Sequence, residues 1–226
     1  FGMMDSPRPS VAIVVPWPGG DGLTQSQEIS LRHLRCFLGG HDIYLIAPWG
    51  ARCRLNGMRI MRFRPRYFGS AAAHGLLLMS KGFYKRFRNY EHVMFYHLDS
   101  LVFSDELKQW CDKPYDYIGA PWPHHPNTPV GNGGFSLRSA KLWQILAQLP
   151  MQKKHPEDQA ICIFNRYRLE NDFDIQFAPI EVARQFAFER GKMQKTFGFH
   201  GLFNFDLELP SSEILSVLYT IPKIFI

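Results

Sequence analysis

The sequence predicts a single α/β domain with a mostly parallel central sheet flanked by helices. Two continuous apolar runs, VAIVVP (11–16) and DIYLIAP (42–48), read as strands buried on both faces, and a capped helical pattern lies between them. The chain has 226 residues with 46% hydrophobic content, enough for one sizeable core. Successive strand and helix signals imply parallel pairing through crossovers. Residues 1–10 read as an N-terminal extension and 11–226 as one domain, with no internal repeat or dividing linker.

Pro16-Trp17-Pro18-Gly19-Gly20 ends the first strand, and Thr24 stands three residues before Gln27, the spacing of a capping box. Leu31, Leu34 and Leu38 then recur at helical intervals until Gly39-Gly40. MRIMRF (58–63) gives a third, weaker strand. From Ser70 to Arg88, the residues Ala72, Leu76, Met79, Phe83 and Phe87 share one face of what reads as a single amphipathic helix. HVMFYHLDSLVF (92–103) reads as one long buried strand interrupted by His97 and Asp99, and Ser104 is expected to cap a short helix after it. Five prolines between 114 and 129 mark a loop that leads into GNGGFSLR (131–138), whose three glycines signal tight turns or close approach to a ligand. Ser139 to Leu149 predicts a helix with Leu142, Ile145, Leu146 and Leu149 inward. Pro156-Glu157-Asp158 opens another, carrying Ile161, Phe164 and Tyr167.

A net charge of +6 suits anionic partners such as phosphates, nucleotides or acidic headgroups. The basic residues are dispersed and form no nucleic-acid-binding motif, so nucleic acid is not an expected partner. Cys36, Cys53, Cys111 and Cys162 contain no C-x-x-C pair, which excludes a zinc ribbon or dithiol redox motif and fits reduced thiols in the cytoplasm. No apolar stretch reaches 18 residues, so neither a membrane span nor a secretory signal is expected. ILSVLYTIPKIFI (214–226) is too short and proline-broken to span a bilayer. It suits packing on the sheet, a dimer contact or peripheral contact with a membrane.

Four places invite chemistry. Asp99 is the strongest, because a buried carboxylate is costly unless a cation or donors compensate it; the alternative is a carboxylate capping the next turn. His97, two residues earlier, would point to the same side of a strand. Glu157 and Asp158 at a helix N-terminus read either as ordinary first-turn acids or as a general base, with Asp158 preferred and Glu157 in reserve. His200 in FGFHG (197–201) lies between glycines that let an imidazole reach a ligand or cation. Arg59, Arg62, Arg64 and Arg66 are expected on one strand face, where they would receive a diphosphate or headgroup or form a solvated edge.

YEHVMFYHLDSLVF, YDYIGAPW, GNGGFSLRS, PEDQ and FGFHG, in this order, resemble an uncharacterised bacterial family of glycosyltransferase-like proteins with a GT-A-like fold, from about Val11 to His200. In similar enzymes an Asp-x-Asp motif ends a central strand and its second carboxylate binds a divalent ion. His97-Leu98-Asp99 takes that position, so the resemblance implies a metal role for Asp99 and a place for His97 beside the donor, where the usual first acid would be. It implies sugar and acceptor contacts from Asn132, Gly133 and Gly134, a base at Asp158, and a metal and diphosphate role for His200. Pro16 and the loop after the first strand would hold the nucleoside, and the stretch from Trp122 to Pro129 would shape the choice of sugar and acceptor.

The implied activity is metal-assisted, inverting transfer from a nucleotide sugar, UDP-linked by preference, to a hydroxyl of a glycan or lipid-linked acceptor in surface polysaccharide synthesis. The implied cofactor is Mn²⁺ or Mg²⁺. The expected location is cytoplasmic, with peripheral contact at the inner face of the membrane through 214–226. Two alternatives stand beside it. A nucleotidyltransferase shares the sheet and metal chemistry, although the loop from Pro16 to Asp21 has glycines but no basic residue. A non-catalytic carbohydrate-binding protein is motivated by His97 in place of an acid.

Overall fold

The computed structural model describes residues 11–17, 19–20, 22–52, 58–122, 124–149, 155–189 and 195–201; the extension 1–10 and the apolar segment 214–226 lie outside them. Strands β1 (Val11–Pro16), β2 (Asp42–Pro48) and β3 (Arg59–Phe63) are joined by helix α1 (Gln25–Leu38) and a connecting segment. Thr24 closes α1 with the expected capping box: its side chain accepts from the N–H of Gln27, whose own side chain accepts from the N–H of Thr24.

The stretch read as one helix is two, α2 (Ala71–Leu78) and α3 (Lys81–Phe87). Ser70 caps the first and Ser80 the second, its hydroxyl accepting from the N–H of Phe83 at 3.1 Å. A serine between two helical runs competes for backbone donors and offers a new start, which the apolar spacing alone conceals.

The long run after it also divides. Strand β4 (His92–Tyr96) belongs to the main sheet, and β5 (Ser100–Val102) belongs to a second one. His97, Leu98 and Asp99 form the turn between them. Helix α4 (Leu107–Cys111) starts later than expected, at Glu106, with no side-chain cap from Ser104. Strands β6 (Tyr117–Gly119) and β7 (Phe135–Ser139) flank the proline-rich loop, and Ser139 caps α5 (Ala140–Leu146).

Glu157–Gln159 form a short helix, α6, that widens into a π turn over Ala160–Phe164 before α7 (Arg166–Phe173). That turn carries an extra residue, which rotates the later side chains around the helix axis. Ile161 is buried as expected, but Phe164 is 49% and Tyr167 80% exposed. Helix α8 (Ile180–Phe186) and strands β8 (Ala187–Phe188) and β9 (Gly198–His200) complete the fold.

The main sheet has the order β3-β2-β1-β4-β7-β6. Strands β1 to β4 are mutually parallel, while β7 runs antiparallel to both β4 and β6. Ile13 and Val15 pack on the α1 side with Leu34, Trp110 and Phe186; Ala12 and Val14 pack on the other with Leu77, Phe83, Phe95 and Trp143. Burial on both faces is the reason β1 has no alternation. The chain steps outward from β1 through β2 to β3, then returns to place β4 on β1's other side. The carboxyl ends of β1 and β4 therefore flank a topological switch point, where open α/β sheets bind ligands.

Candidate active site

Register carries the expected residues to this edge. Val14 pairs with Phe95, so Pro16 and His97 leave their strands side by side. Tyr96 pairs with Phe135, which sets the Asn132-Gly133-Gly134 segment against the turn, and the His97 N–H donates to the Gly134 carbonyl at 2.8 Å. In the smaller sheet, with order β5-β9-β8, Ser100 pairs with His200. The Gly201 N–H closes that pairing by donating to the Asp99 carbonyl at 2.9 Å.

His97, Asp99 and His200 consequently offer three ligand atoms that all lie within 4.8 Å of one another. His97 Nε2 and Asp99 Oδ1 are buried with no hydrogen-bond partner, and Asp99 Oδ1 is 3.5 Å from His200 Nε2. Buried polar atoms without partners are costly, and here they converge on one point that a cation would satisfy. Burial, only partly opposed by the Asp99 charge, pushes the His97 imidazole down to about 4, so it is neutral and able to ligate near pH 7.

His200 has a further set of partners. Its Nδ1 lies 2.8 Å from Asn132 Nδ2 and 3.3 Å from Glu189 Oε1. The Asn132 amide is oriented by the Phe135 N–H, which donates to Oδ1 at 3.0 Å. With Oδ1 taken by the Phe135 N–H, the Asn132 Nδ2 amide donates to His200 Nδ1, which places the neutral ring's proton on Nε2 beside Asp99 Oδ1, where a bound cation would take that proton's place. Burial works against charging His200, but the Glu189 hydrogen bond together with the charges of Asp99, Glu189 and Asp158 outweighs it and raises the pKa.

Asp158 meets the glycine segment at Gly133, next to the Gly134 against which His200 packs. Its Oδ2 accepts from the Gly133 N–H at 3.1 Å and its Oδ1 from the Gln159 N–H at 2.8 Å. Burial, reinforced by the neighbouring Glu157 charge, pushes its carboxyl up to about 6. Glu157 itself is committed elsewhere: its Oε1 accepts from Arg138 Nη2 at 2.9 Å. Burial disfavours the Glu157 charge, yet the Arg138 guanidinium more than offsets it and holds the carboxyl below its ordinary range.

The glycines act through close approach. A Cβ on Gly133 would meet Glu157 Oε1, and one on Gly134 would occupy the His200 ring. Gly134→Ala is therefore expected to displace His200, costing about 1–3 kcal/mol in stability by overpacking, as read by urea unfolding.

Of the remaining expected residues, Pro16 lines a separate cavity of about 230 Å³ with Phe68, Ser70 and His74. The His74 ring lies 6.4 Å from that of His97. Trp122 is buried, with its indole against Gly131 and its ring centroid 5.4 Å from His125, so it packs the loop wall. The four arginines do not share a face. Strand β3 ends at Phe63, Arg59 pairs with Asp42 at 3.1 Å, and Arg62 donates to the carbonyls of Pro48 and Ala51. Arg138, Glu189 and His74 belong to the site's surroundings without any local sequence signal.

A model of the family described as a protein of unknown function (DUF5672) matches residues 57–200, from just before β3 through His200. The chain belongs to the DUF5672 family. The span of that match holds every residue of the cluster except Pro16 of the neighbouring cavity. No curated protein matches the chain in sequence.

Among solved structures, the mannosyltransferase PcManGT from Pyrobaculum calidifontis, in complex with GDP-Man and Mn²⁺, is similar at 13% identity and a TM-score of 0.50, covering 77% of this chain and 56% of that one. The apo-form glycosyltransferase GlyE from Streptococcus pneumoniae TIGR4 is similar at 14% identity and a TM-score of 0.43, covering 76% of this chain and 46% of that one. The chain thus spans about half the length of the structures it matches. The fold is the expected GT-A-like α/β arrangement of a central sheet flanked by helices. No helix among the described residues is long and apolar enough to cross a membrane.

Proposed function

We propose that this DUF5672 member is a metal-dependent, inverting glycosyltransferase that uses a nucleotide sugar. One observation carries the reading: the His97, Asp99 and His200 donors and the Asp158 carboxylate all meet the Asn132-Gly133-Gly134 segment, at the switch point of the sheet.

The two imidazoles and one carboxylate suit Mn²⁺ better than Mg²⁺, which prefers an all-oxygen shell. His97, Asp99 and His200 would hold a divalent cation, which would supply positive charge to offset the negative charge growing on a departing nucleoside diphosphate. The chain's own groups do the rest. Glu189 and Asn132 fix the His200 ring, Gly133 and Gly134 keep the floor of the site free of side chains, and Asp158 accepts the proton of the attacking hydroxyl. Attack from the Asp158 side, opposite the leaving group, inverts the anomeric carbon. The cavity beside Pro16 and His74 lies next to the cluster and suits part of the donor. The glycan or lipid-linked acceptor and the link to surface polysaccharide synthesis belong to this reading as well.

Asp158 with its pKa near 6 is protonated below that value and competent as a base above it. Release of nucleoside diphosphate from a panel of nucleotide sugars, UDP-linked ones first, is therefore expected to rise with pH through about 6. Absence of release from every donor in the panel, with simple sugars still binding, would favour the non-catalytic carbohydrate-binding reading.

A further inference from the structure

The charge of the chain is unevenly placed. From Ile43 to Tyr90 there are ten lysines and arginines and no acid, whereas the remainder carries 16 basic residues against 20 acidic ones. Arg59, Arg64, Arg66, Lys81, Lys85, Arg86 and Arg88 are exposed along β3, the turn after it and α3, and Trp49 beside them is 56% exposed. Between α2, α3 and the end of α5 this basic region surrounds an open cavity of about 710 Å³, within the range of ligand pockets. Arg66 and Lys81 supply its cationic groups, and Leu76, Met79, Leu146 and Leu149 supply its apolar wall. An apolar cleft with two cations and no acid among its lining residues, beside a basic stretch of the chain, matches an amphiphile with an anionic head. It does not match a free sugar phosphate, which offers nothing to four aliphatic side chains.

We propose that this face docks on an anionic membrane, with a lipid phosphate held by Arg66 and Lys81 and the adjoining chain lying along Leu76, Met79 and Leu149. Clustered bases are drawn to acidic bilayers, and an amphipathic pocket adds apolar contact that charge alone lacks. The cavity adjoins the one beside Pro16 along the chain: Arg66 and Tyr67 line the first, and the next residues, Phe68 to Ala71, line the second. A lipid held here therefore sits beside the candidate active site. The inference stands apart from the catalytic reading, because docking requires no turnover.

The test is co-sedimentation of the full chain with vesicles of phosphatidylglycerol in phosphatidylcholine, against pure phosphatidylcholine, at low and physiological salt. The expected result is binding that needs phosphatidylglycerol, weakens with salt, and falls at least tenfold in Arg66→Gln/Lys81→Gln and severalfold in Leu149→Asn. Lys108→Gln/Arg184→Gln, on the opposite side of the sheet, and Leu218→Gln, in the terminal apolar segment, are expected to bind as the native chain does. Circular dichroism confirms that each variant is folded. Equal binding to both vesicle types, no loss in the Arg66/Lys81 variant, or loss in the Leu218 variant would overturn the assignment. Preference for oligonucleotides over vesicles at physiological salt would overturn it too.

Discussion

Replacing Arg138 with methionine is expected to cost the fold about 3–5 kcal/mol at pH 7, read as the loss of unfolding free energy in urea. Arg138 is wholly buried, and its guanidinium carbon lies 4.5 Å from the ring centre of Phe95, 5.1 Å from Tyr117 and 5.3 Å from Trp143. Nε donates to Ser136 Oγ, and Nη2 donates to Glu157 and to the Gly133 carbonyl. Methionine fills similar space in the aromatic cage but leaves Glu157 as an uncompensated buried charge.

In the native chain Glu157 has a pKa below its ordinary 4.5, so the ion pair stabilises above that value and its contribution is lost as the pH falls further. In Arg138→Met the unpaired carboxyl takes up a proton more readily, and the penalty shrinks as pH falls towards 4. Arg138→Met/Glu157→Gln recovers most of the lost stability. A single-variant loss below about 1 kcal/mol, typical of a surface pair, would show that this pair does not organise the site.

Asp158→Asn is expected to lower transfer by about 10²–10⁴-fold, the contribution of a positioned general base, while leaving Mn²⁺ and nucleotide binding within twofold. The measurement is kcat and the donor dissociation constant on one preparation. A second signature separates this from a folding defect. Asp158 has an ordinary value of 3.8 and a native value of about 6, so the native state binds its proton more tightly and the aspartate weakens the fold as pH rises between those values. The asparagine variant loses that component of the melting-temperature profile. An unchanged kcat would remove Asp158 from the chemistry and leave it as a helix-start residue.

Much of this arrangement is legible in local sequence. The β1 and β2 runs and the Thr24 box are each determined by neighbours a few residues away and form as their patterns imply, and the helix read from Ser139 to Leu149 forms over Ala140–Leu146. The candidate residues at 97, 99, 132–134, 158 and 200 are recognisable by type, because a carboxylate in an apolar run and a histidine between glycines are costly without partners. Their convergence is not recognisable, since it depends on β7 returning antiparallel beside β4 and on β9 pairing with β5.

Arg138 illustrates what stays hidden. Nothing within FSLRS sets it apart, and only Phe95, Tyr117, Trp143 and Glu157, drawn from four other elements, make it a buried cation. Glu189 comes after β8 with no motif around it, and becomes a partner of His200 through the pairing of β8 with β9. The exposure of Phe164 and Tyr167 has a different origin: a π turn violates the 3.6-residue period that places them inward.

The central claim is that His97, Asp99 and His200 hold a divalent cation that in turn holds a nucleoside diphosphate. Titration calorimetry of UDP and GDP into the full chain at pH 8, with Mn²⁺, with Mg²⁺ and with neither, tests it most directly when repeated on Asp99→Ala. The account predicts nucleotide binding that requires Mn²⁺, is weaker with Mg²⁺, and is lost in Asp99→Ala with the melting temperature of the metal-free protein preserved. Nucleotide binding of equal strength without metal, or in Asp99→Ala with Mn²⁺ present, would contradict it.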